Sequence, residues 1–186
     1  MKISFKPLTE KTWGDFETLF GQRGACGGCW CMAWRLKSSD FEKQKGQGNK
    51  KAMRNLVRKN EQIGIIAYMG KQPVGWCAAA PRDKFIRLNN SRVLKRIDDE
   101  PVWSITCFFI AKEFRRMGLS TELLKGVINF CRKKKIKILE GYPGVPYSKN
   151  IPSAFAWTGI PSSFEKAGFS EAARRSKSRP IMRYYL

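Results

Sequence analysis

The segment 115–120, Arg-Arg-Met-Gly-Leu-Ser, combines two arginines, a glycine and a hydroxyl three residues after an apolar run at 102–111. The apolar run predicts a buried, central strand, and the residues after the segment predict an amphipathic helix. Such a turn gathers backbone N–H groups at the positive end of a helix dipole, where a phosphate binds well. Gly118 would let an oxygen approach the backbone, and Ser120 would add a hydroxyl. The alternative is an ordinary basic helix start, and the segment alone does not decide between the two.

A second group of reactive residues is the cysteine-rich stretch 26–31, Cys-Gly-Gly-Cys-Trp-Cys. A Cys-x-x-Cys pair is half of a zinc site, but the chain has no histidine and no second such pair to complete a tetrahedral site. Cys77, Cys107 and Cys131 lie in apolar segments, where cysteine is commonly a small buried hydrophobic residue. We therefore expect no metal and a tight glycine-rich turn whose small residues, together with Trp30, Met32 and Trp34, pack over a binding cleft. A metal site and a redox-sensitive thiol stay open as alternatives.

Composition limits the class of protein. The 186 residues are 42% hydrophobic, which suits one domain spanning 1–186. The net charge of +21 favours anionic partners such as phosphorylated cofactors, nucleic acid or an anionic membrane surface. No apolar stretch approaches the ~18–20 residues that span a bilayer, and the first residues lack the pattern of a signal peptide. We expect a cytoplasmic protein with reduced cysteines and no membrane insertion.

The elements that position these residues follow from the hydrophobic pattern. The order is a strand, helices, several antiparallel strands, and then strand, helix, strand, helix and a final hairpin. The helix at 41–60 is expected in two pieces, broken at 46–48, and two strands meet in a tight turn at 69–72. Pro161 suits the first turn of a late helix and Gly168 suits its C-terminal end. This order predicts a mixed α/β (α+β) fold.

Two of these segments resemble motifs of the GNAT superfamily of N-acetyltransferases. The segment 115–120 is similar to the acetyl-CoA-binding motif Arg/Gln-x-x-Gly-x-Gly/Ala, with Ser120 as a small residue in the last position. The stretch Ser-Ser-Phe-Glu-Lys-Ala-Gly-Phe at 162–169 is similar to a later motif that ends Tyr-x-x-x-Gly-Phe, with Phe164 in place of the tyrosine. The resemblance extends from about residue 3 to the end. The cysteine-rich loop also resembles that of a bacterial subgroup with unassigned acceptors.

The resemblance implies a central, mostly antiparallel, twisted sheet of about six to seven strands, flanked by helices and splayed at the acetyl-CoA site. It implies transfer of an acetyl group from acetyl-CoA directly to a primary amine of a small molecule or a protein. The main chain of Phe108, Phe109 and Ile110 would pair with the pantetheine arm, and an N–H near Phe109 or Ile110 would polarise the thioester carbonyl. The residues expected to contact the cofactor are Phe108, Phe109, Ile110, Arg115, Arg116, Met117, Gly118, Leu119, Ser120 and Phe164.

The acid and base are assigned from the strand at 136–142. Glu140 is the only carboxylate in a predicted core strand, and its Leu-Glu-Gly context resembles the site of a catalytic glutamate in some family members. Glu140 is therefore the candidate base, because a protonated amine must lose a proton before it attacks. The family's usual acid is the tyrosine that Phe164 replaces, so Tyr142 is the substitute and Tyr147 the second choice. The alternative for Glu140 is an ion pair with a Lys or Arg residue. The alternative for Tyr142 and Tyr147 is that each is a half-buried aromatic residue without a catalytic role.

A second function class stays open. Basic runs at 131–137 and 173–179 could contact phosphates, so the chain could be a nucleic-acid or ribosome-associated binding protein on an acyltransferase fold without turnover. Alternatively, these basic runs are simply a solvent-exposed face of the protein. In that case only nonspecific binding to polyanions is expected. Polycationic acceptors of the aminoglycoside type are disfavoured by repulsion unless Asp98, Asp99 and Glu100 line the cleft. The oligomeric state, including a homodimer, is left open.

Overall fold

The structure is a computed structural model and describes residues 3–147 and 156–186. Its seven strands are β1 (Ile3–Pro7), β2 (Gly64–Met69), β3 (Gln72–Pro81), β4 (Trp103–Ile110), β5 (Ile138–Gly141), β6 (Ser170–Arg174) and β7 (Pro180–Tyr185). Its α-helices are α1 (Trp13–Phe20), α2 (Ser38–Lys43), α3 (Gln47–Arg58), α4 (Ile86–Asn89), α5 (Leu119–Lys133) and α6 (Pro161–Lys166). Short 3-10 turns precede α1, α4 and α5.

All seven strands form one sheet in the order β1-β2-β3-β4-β5-β7-β6. The apolar strand β4 is central in this order, as its sequence predicts, and it pairs antiparallel with β3. The pairing of β4 with β5 is parallel, whereas the remaining neighbours are antiparallel. The predicted mixed α/β fold with a mostly antiparallel sheet is therefore confirmed, including the final β6–β7 hairpin.

Helices cover both faces of the sheet because each has one apolar side. On one face, α5 buries residues three and four positions apart, and Phe164 of α6 joins the same core. On the other face, α1 buries Trp13, Phe16 and Phe20 against β3, together with Met53 of α3. None of the described helices combines the length and the apolar character needed to cross a membrane.

The sheet opens between β4 and β5. The two strands share three residue pairs, which end at Ile105 opposite Gly141. The register between β3 and β4 also shifts here, because Ala78 pairs with Cys107 and Ala79 with Ile105, which leaves Thr106 as an extra residue in β4. An extra residue bends a strand and raises its local twist. The C-terminal half of β4 therefore leaves β5 and leads to the turn before α5.

Candidate active site

The predicted junction between β4 and α5 is formed as the sequence indicates. Gly118 caps α5 in the left-handed conformation, with φ 77° and ψ 4°. Arg116 also has a positive φ, 61°, which is uncommon for a residue with a side chain. A Cβ atom added to Gly118 would meet nothing within 4 Å, so the space in front of this turn is open.

The first turn of α5 supplies donors to that space. The N–H groups of Thr121 and Glu122 already donate to the carbonyl oxygen of Gly118, at 3.0 and 3.3 Å. The N–H groups of Leu119 and Ser120 belong to the first helical turn, which has no carbonyl partners within the helix. An anion in front of Gly118 would therefore meet unpaired amides and the positive end of the helix dipole.

Some side chains around this turn are exposed to solvent, and others form hydrogen bonds within the protein. Arg116 and Met117 are exposed, whereas Arg115 donates from Nε to the carbonyl oxygen of Ile110 at 2.9 Å and so ties the turn to the end of β4. The hydroxyl of Ser120 lies 3.1 Å from that of Ser163 in α6. The contacts predicted between these residues and a phosphate stay predictions, and the hydroxyl of Ser120 already has a protein neighbour.

The segment 156–160 occupies part of the opening beside β4. The N–H of Phe108 donates to the carbonyl oxygen of Trp157 at 2.6 Å, and the N–H of Gly144 donates to the carbonyl oxygen of Gly159 at 3.0 Å. The Phe108 N–H is thus already paired within the chain. The pairing of Phe108, Phe109 and Ile110 with a pantetheine arm stays a prediction.

A cavity of about 240 Å³ lies on the α1 side of this part of β4. Its walls come from the end of α1, from the cysteine-rich loop and the residues after it, from α2, α4 and β4, and from Trp157. The aromatic members of the wall are Phe20, Trp34, Phe41, Phe108, Phe109 and Trp157. The charged member is Arg87, and no Asp or Glu among the described residues lines the cavity. Sequence reasoning missed Arg87 and Trp157, because nothing local connects either of them to β4.

The cysteine-rich loop forms one wall of this cavity through Cys26, Cys29 and Cys31, and Cys107 of β4 joins them. Within residues 3–147 and 156–186, no three Cys, Asp or Glu side chains come together in a way that could hold a metal ion. Burial raises the pKa of Cys29 to about 11. The Cys31 thiol accepts hydrogen bonds from Cys107 and from Trp76 Nε1, the latter at 3.2 Å, and these bonds lower its pKa.

Glu140 is buried, with 1% of its surface exposed, and both of its oxygens are paired. Oε1 accepts from Arg82 at 3.1 Å and from the Tyr142 hydroxyl at 2.6 Å, and Oε2 accepts from Arg183 at 2.8 Å. This arrangement matches the alternative of a glutamate paired with arginine. The role of Glu140 as a base stays a prediction, and its surroundings favour a structural role because the carboxylate has no exposed oxygen and lies outside the cavity wall.

Tyr142 belongs to the same buried network. Its hydroxyl accepts from Arg82 at 2.6 Å and lies 2.7 Å from the Ser104 hydroxyl, and none of its side-chain surface is exposed. Burial, followed by the negative charge of Glu140, raises the pKa of Tyr142 far above its usual value. A phenol of this kind gives up its proton reluctantly, so the predicted role of Tyr142 as the acid gains no support. Tyr147, the second choice, is 78% exposed.

Two other predicted features lie away from the cavity. Phe164 is completely buried and packs edge-on against Phe108 and Phe169, so it offers no surface to a cofactor in this structure. Asp98 forms two hydrogen bonds with Arg183, at 2.6 and 2.9 Å, which lower the pKa of the carboxyl. None of the three acidic residues at 98–100 lines the cavity.

Comparison with known proteins gives a matching family model and similar solved structures. Residues 30–150 match the model described as the acetyltransferase (GNAT) family. None of the curated protein sequences matches the chain significantly. Many solved structures do, and the three described next are 12–15% identical to it.

The PaiA N-acetyltransferase from Thermoplasma acidophilum, solved with coenzyme A, is 15% identical with a TM-score of 0.55, over all of both chains. An aminoglycoside acetyltransferase, AAC(6')-Ib, solved with coenzyme A and kanamycin, is 14% identical with a TM-score of 0.53, over 99% of this chain and 95% of the other. The ribosomal-protein-S18-alanine N-acetyltransferase from Escherichia coli is 12% identical with a TM-score of 0.51, over all of this chain and 94% of the other. At these identities the likeness establishes the fold.

The buried network generates a stability prediction. The substitution Glu140→Gln removes the charge that balances Arg82, which is 1% exposed, and we expect it to lower the free energy of unfolding by about 3–5 kcal/mol. Urea unfolding followed by circular dichroism measures this change. Glu122→Gln is the matched control, because Glu122 pairs with Lys125 on an exposed helix surface and its loss should cost about 0.5 kcal/mol or less. An E140Q protein with unchanged stability and reduced turnover would instead support the catalytic role.

Proposed function

The chain belongs to the GNAT acetyltransferase family, and we propose that it transfers the acetyl group of acetyl-CoA directly to a primary amine. The observation that carries the proposal is the continuity of β4. Its residues 107–109 form a wall of the aromatic cavity, and its end at Ile110 is tied by Arg115 to the open turn at Gly118. One strand therefore connects a space for the acceptor with a space for the phosphates of the cofactor.

The residues at the turn fit acetyl-CoA. The left-handed Gly118, the open space in front of it and the N–H groups of Leu119 and Ser120 suit the pyrophosphate. The exposed Arg116 adds positive charge. The N–H groups at the end of β4, near Phe109 or Ile110, are the proposed donors to the thioester carbonyl oxygen. When bound, acetyl-CoA supplies an acyl carbon that an amine nitrogen attacks, and the products are the N-acetyl amine and the free thiol of coenzyme A.

The chain contributes mainly by placing the amine and by changing its protonation. Holding two reactants in the correct geometry removes much of the entropic cost of their meeting. An aromatic cavity desolvates the ammonium form, and the positive charge of Arg87 in the wall disfavours that form further. Both effects lower the pKa of a bound amine and raise the fraction that can attack. We assign Glu140 and Tyr142 to positioning β4 and β5.

The proposed reaction predicts a defined set of products. Incubation with acetyl-CoA and a mixture of primary amines should release the coenzyme A thiol, detected with a thiol reagent, and yield an amine heavier by one acetyl group in mass spectrometry. The N,N-dimethyl form of an accepted amine is the control, because it has no N–H to lose and should give no product. Titration calorimetry should give saturable binding of acetyl-CoA.

The second function class makes the opposite prediction. A nucleic-acid-binding protein on this fold would bind RNA or DNA tightly and would give no heat with acetyl-CoA. Weak RNA binding that declines steeply as salt is raised is what the net charge of +21 alone would produce. Tight, specific RNA binding without any cofactor binding would overturn the proposed transferase.

The turn at Gly118 can be tested with a matched pair of glycines. Gly118→Ala adds a Cβ atom in the space meant for a phosphate oxygen and disfavours φ 77° by roughly 1–2 kcal/mol, so we expect the Kd of acetyl-CoA to rise about tenfold. Gly70→Ala is the control, because Gly70 has φ 62° and equally open surroundings but lies in the β2–β3 turn. Both variants should lose similar stability, and calorimetry should find weaker binding in G118A alone. Equal affinities in the two variants would contradict the assignment.

A further inference from the structure

The aromatic cavity beside β4 restricts what the acceptor can be, if the proposed function holds. Its volume of about 240 Å³ is below the roughly 300–1,000 Å³ of pockets for drug-sized ligands, so it suits a single ring system rather than several linked rings. Six aromatic side chains contribute to the wall, among them Trp34 and Trp157, whose ring centroids are 5.7 Å apart. The space therefore favours a flat apolar group.

The charge of the wall excludes polycations. The charged lining residue is Arg87, and no carboxylate is among the described residues that line the cavity. A second ammonium group on the acceptor would meet repulsion from this guanidinium with no negative charge to offset it. One face of Trp34 already contacts a cation, since the Cζ atom of Arg87 lies 5.7 Å from the ring centroid.

Arg87 is held in place, and it retains donors for an anion. Its Nη1 donates to the carbonyl oxygen of Ala33 at 3.0 Å, and its backbone N–H donates to that of Trp34 at 3.2 Å. No carboxylate of the described part of the chain forms an ion pair with it. The Ala33 carbonyl holds the side chain and the Trp34 carbonyl holds the main chain, and neither neutralises the charge of the guanidinium. A guanidinium has five N–H donors and matches a carboxylate with two parallel hydrogen bonds.

Trp34, which also lines the cavity, contains a second donor. Its Nε1 is buried and has no acceptor among the described residues. A buried N–H without an acceptor is costly, because it has lost its hydrogen bond to water without a replacement. Because Arg87 lies over the same indole ring, a ligand carboxylate held by Arg87 would bring an acceptor close to Trp34.

We propose that this cavity holds the acceptor and that the acceptor is a small aromatic amino acid, with its ring among the aromatic side chains and its carboxylate on Arg87. The amine nitrogen bonds to the acetyl carbon as the C–S bond of acetyl-CoA breaks, the sulfur leaves with the bonding electrons, and the proton lost by the amine balances that charge. Because the amine and the carboxylate share the α-carbon, the carboxylate on Arg87 also limits where the amine can lie.

The test compares acceptors that differ only in the carboxylate. Turnover with acetyl-CoA is measured for L-tryptophan and L-phenylalanine, for tryptamine and phenethylamine, and for tryptophan amide. We expect kcat/KM for each amino acid to exceed that of its decarboxylated amine and of the amide by about tenfold or more, as a charge-assisted hydrogen bond provides. Spermidine and kanamycin should be turned over far more slowly.

Two variants separate the donors from the packing of the wall. Arg87→Met keeps much of the side-chain bulk and should reduce the ratio of kcat/KM for tryptophan to that for tryptamine to about one. Trp34→Phe keeps an aromatic ring without the N–H and should reduce the same ratio to a smaller extent. Arg92→Met is the control, because Arg92 is exposed in the same connection and does not line the cavity, so the ratio should stay unchanged. Melting temperature and acetyl-CoA affinity of each variant are measured alongside.

The outcomes distinguish this inference from the proposed function. If acetyl-CoA binds and spermidine, kanamycin or tryptamine is turned over better than the amino acids, the inference is wrong and the transferase stands. If acetyl-CoA binds and none of the aromatic acids is turned over, the inference is also wrong. If acetyl-CoA does not bind, the proposed function itself fails. An unchanged ratio in R87M would overturn the carboxylate contact even when the amino acids are good acceptors.

Discussion

The point at which β4 and β5 stop pairing determines the rest of the site. The middle one of their three pairs joins Ser104 to Glu140, and the buried network is centred on it. The last pair contains Gly141, where a Cβ atom would lie 2.1 Å from the ring of Phe164. The glycine lets α6 lie directly against the end of β5, and beyond it the extra residue Thr106 turns β4 away. The cavity and the open turn both lie along the part of β4 that has left β5.

The buried network also connects this point to the cavity wall. Arg82 and Arg183 balance the charges of Glu140 and Asp98, so the two guanidiniums are each paired with a carboxylate. Buried charges are tolerated only when they are paired in this way. The second amino group of Arg82 donates to the carbonyl oxygens of Leu88 and Leu94, at 3.3 and 2.6 Å. The network therefore fixes the connection between β3 and β4, and Arg87 lies in that connection next to Leu88.

The parts of this structure that could be predicted from the sequence depend on local patterns. The apolar run of β4, the glycine before α5 and the apolar face of α5 are each contained in a few consecutive residues, and they gave the central strand and the junction correctly. The two-part helix at α2 and α3 and the β6–β7 hairpin are local in the same sense. The resemblance to the family then indicated that these elements form one central, mostly antiparallel sheet.

The parts that could not be predicted depend on contacts between distant residues. Glu140 was identified as an unusual carboxylate, but its partners Arg82 and Arg183 are 58 and 43 residues away in sequence. One signal was available, since Arg183 interrupts the apolar strand Pro-Ile-Met-Arg-Tyr-Tyr and a buried arginine requires a carboxylate. The cavity had no such signal, because its wall combines residues from six separate segments and the charge of Arg87 cannot be distinguished locally from the other basic residues of the chain.

The distribution of charge is consistent with the proposal that a strongly basic chain binds both a polyanionic cofactor and an amine. The exposed turn at Arg116 and Gly118 presents its charge to solvent, where it attracts phosphate groups from a distance. The cavity is different, because one fixed guanidinium in an aromatic wall acts at close range and in a lower dielectric. There the same sign of charge favours the neutral form of an amine and the anionic form of a carboxylate. In the proposed site, the cation that would repel a polyamine is the group that would orient an amino acid, so the positive charge would contribute to acceptor selectivity.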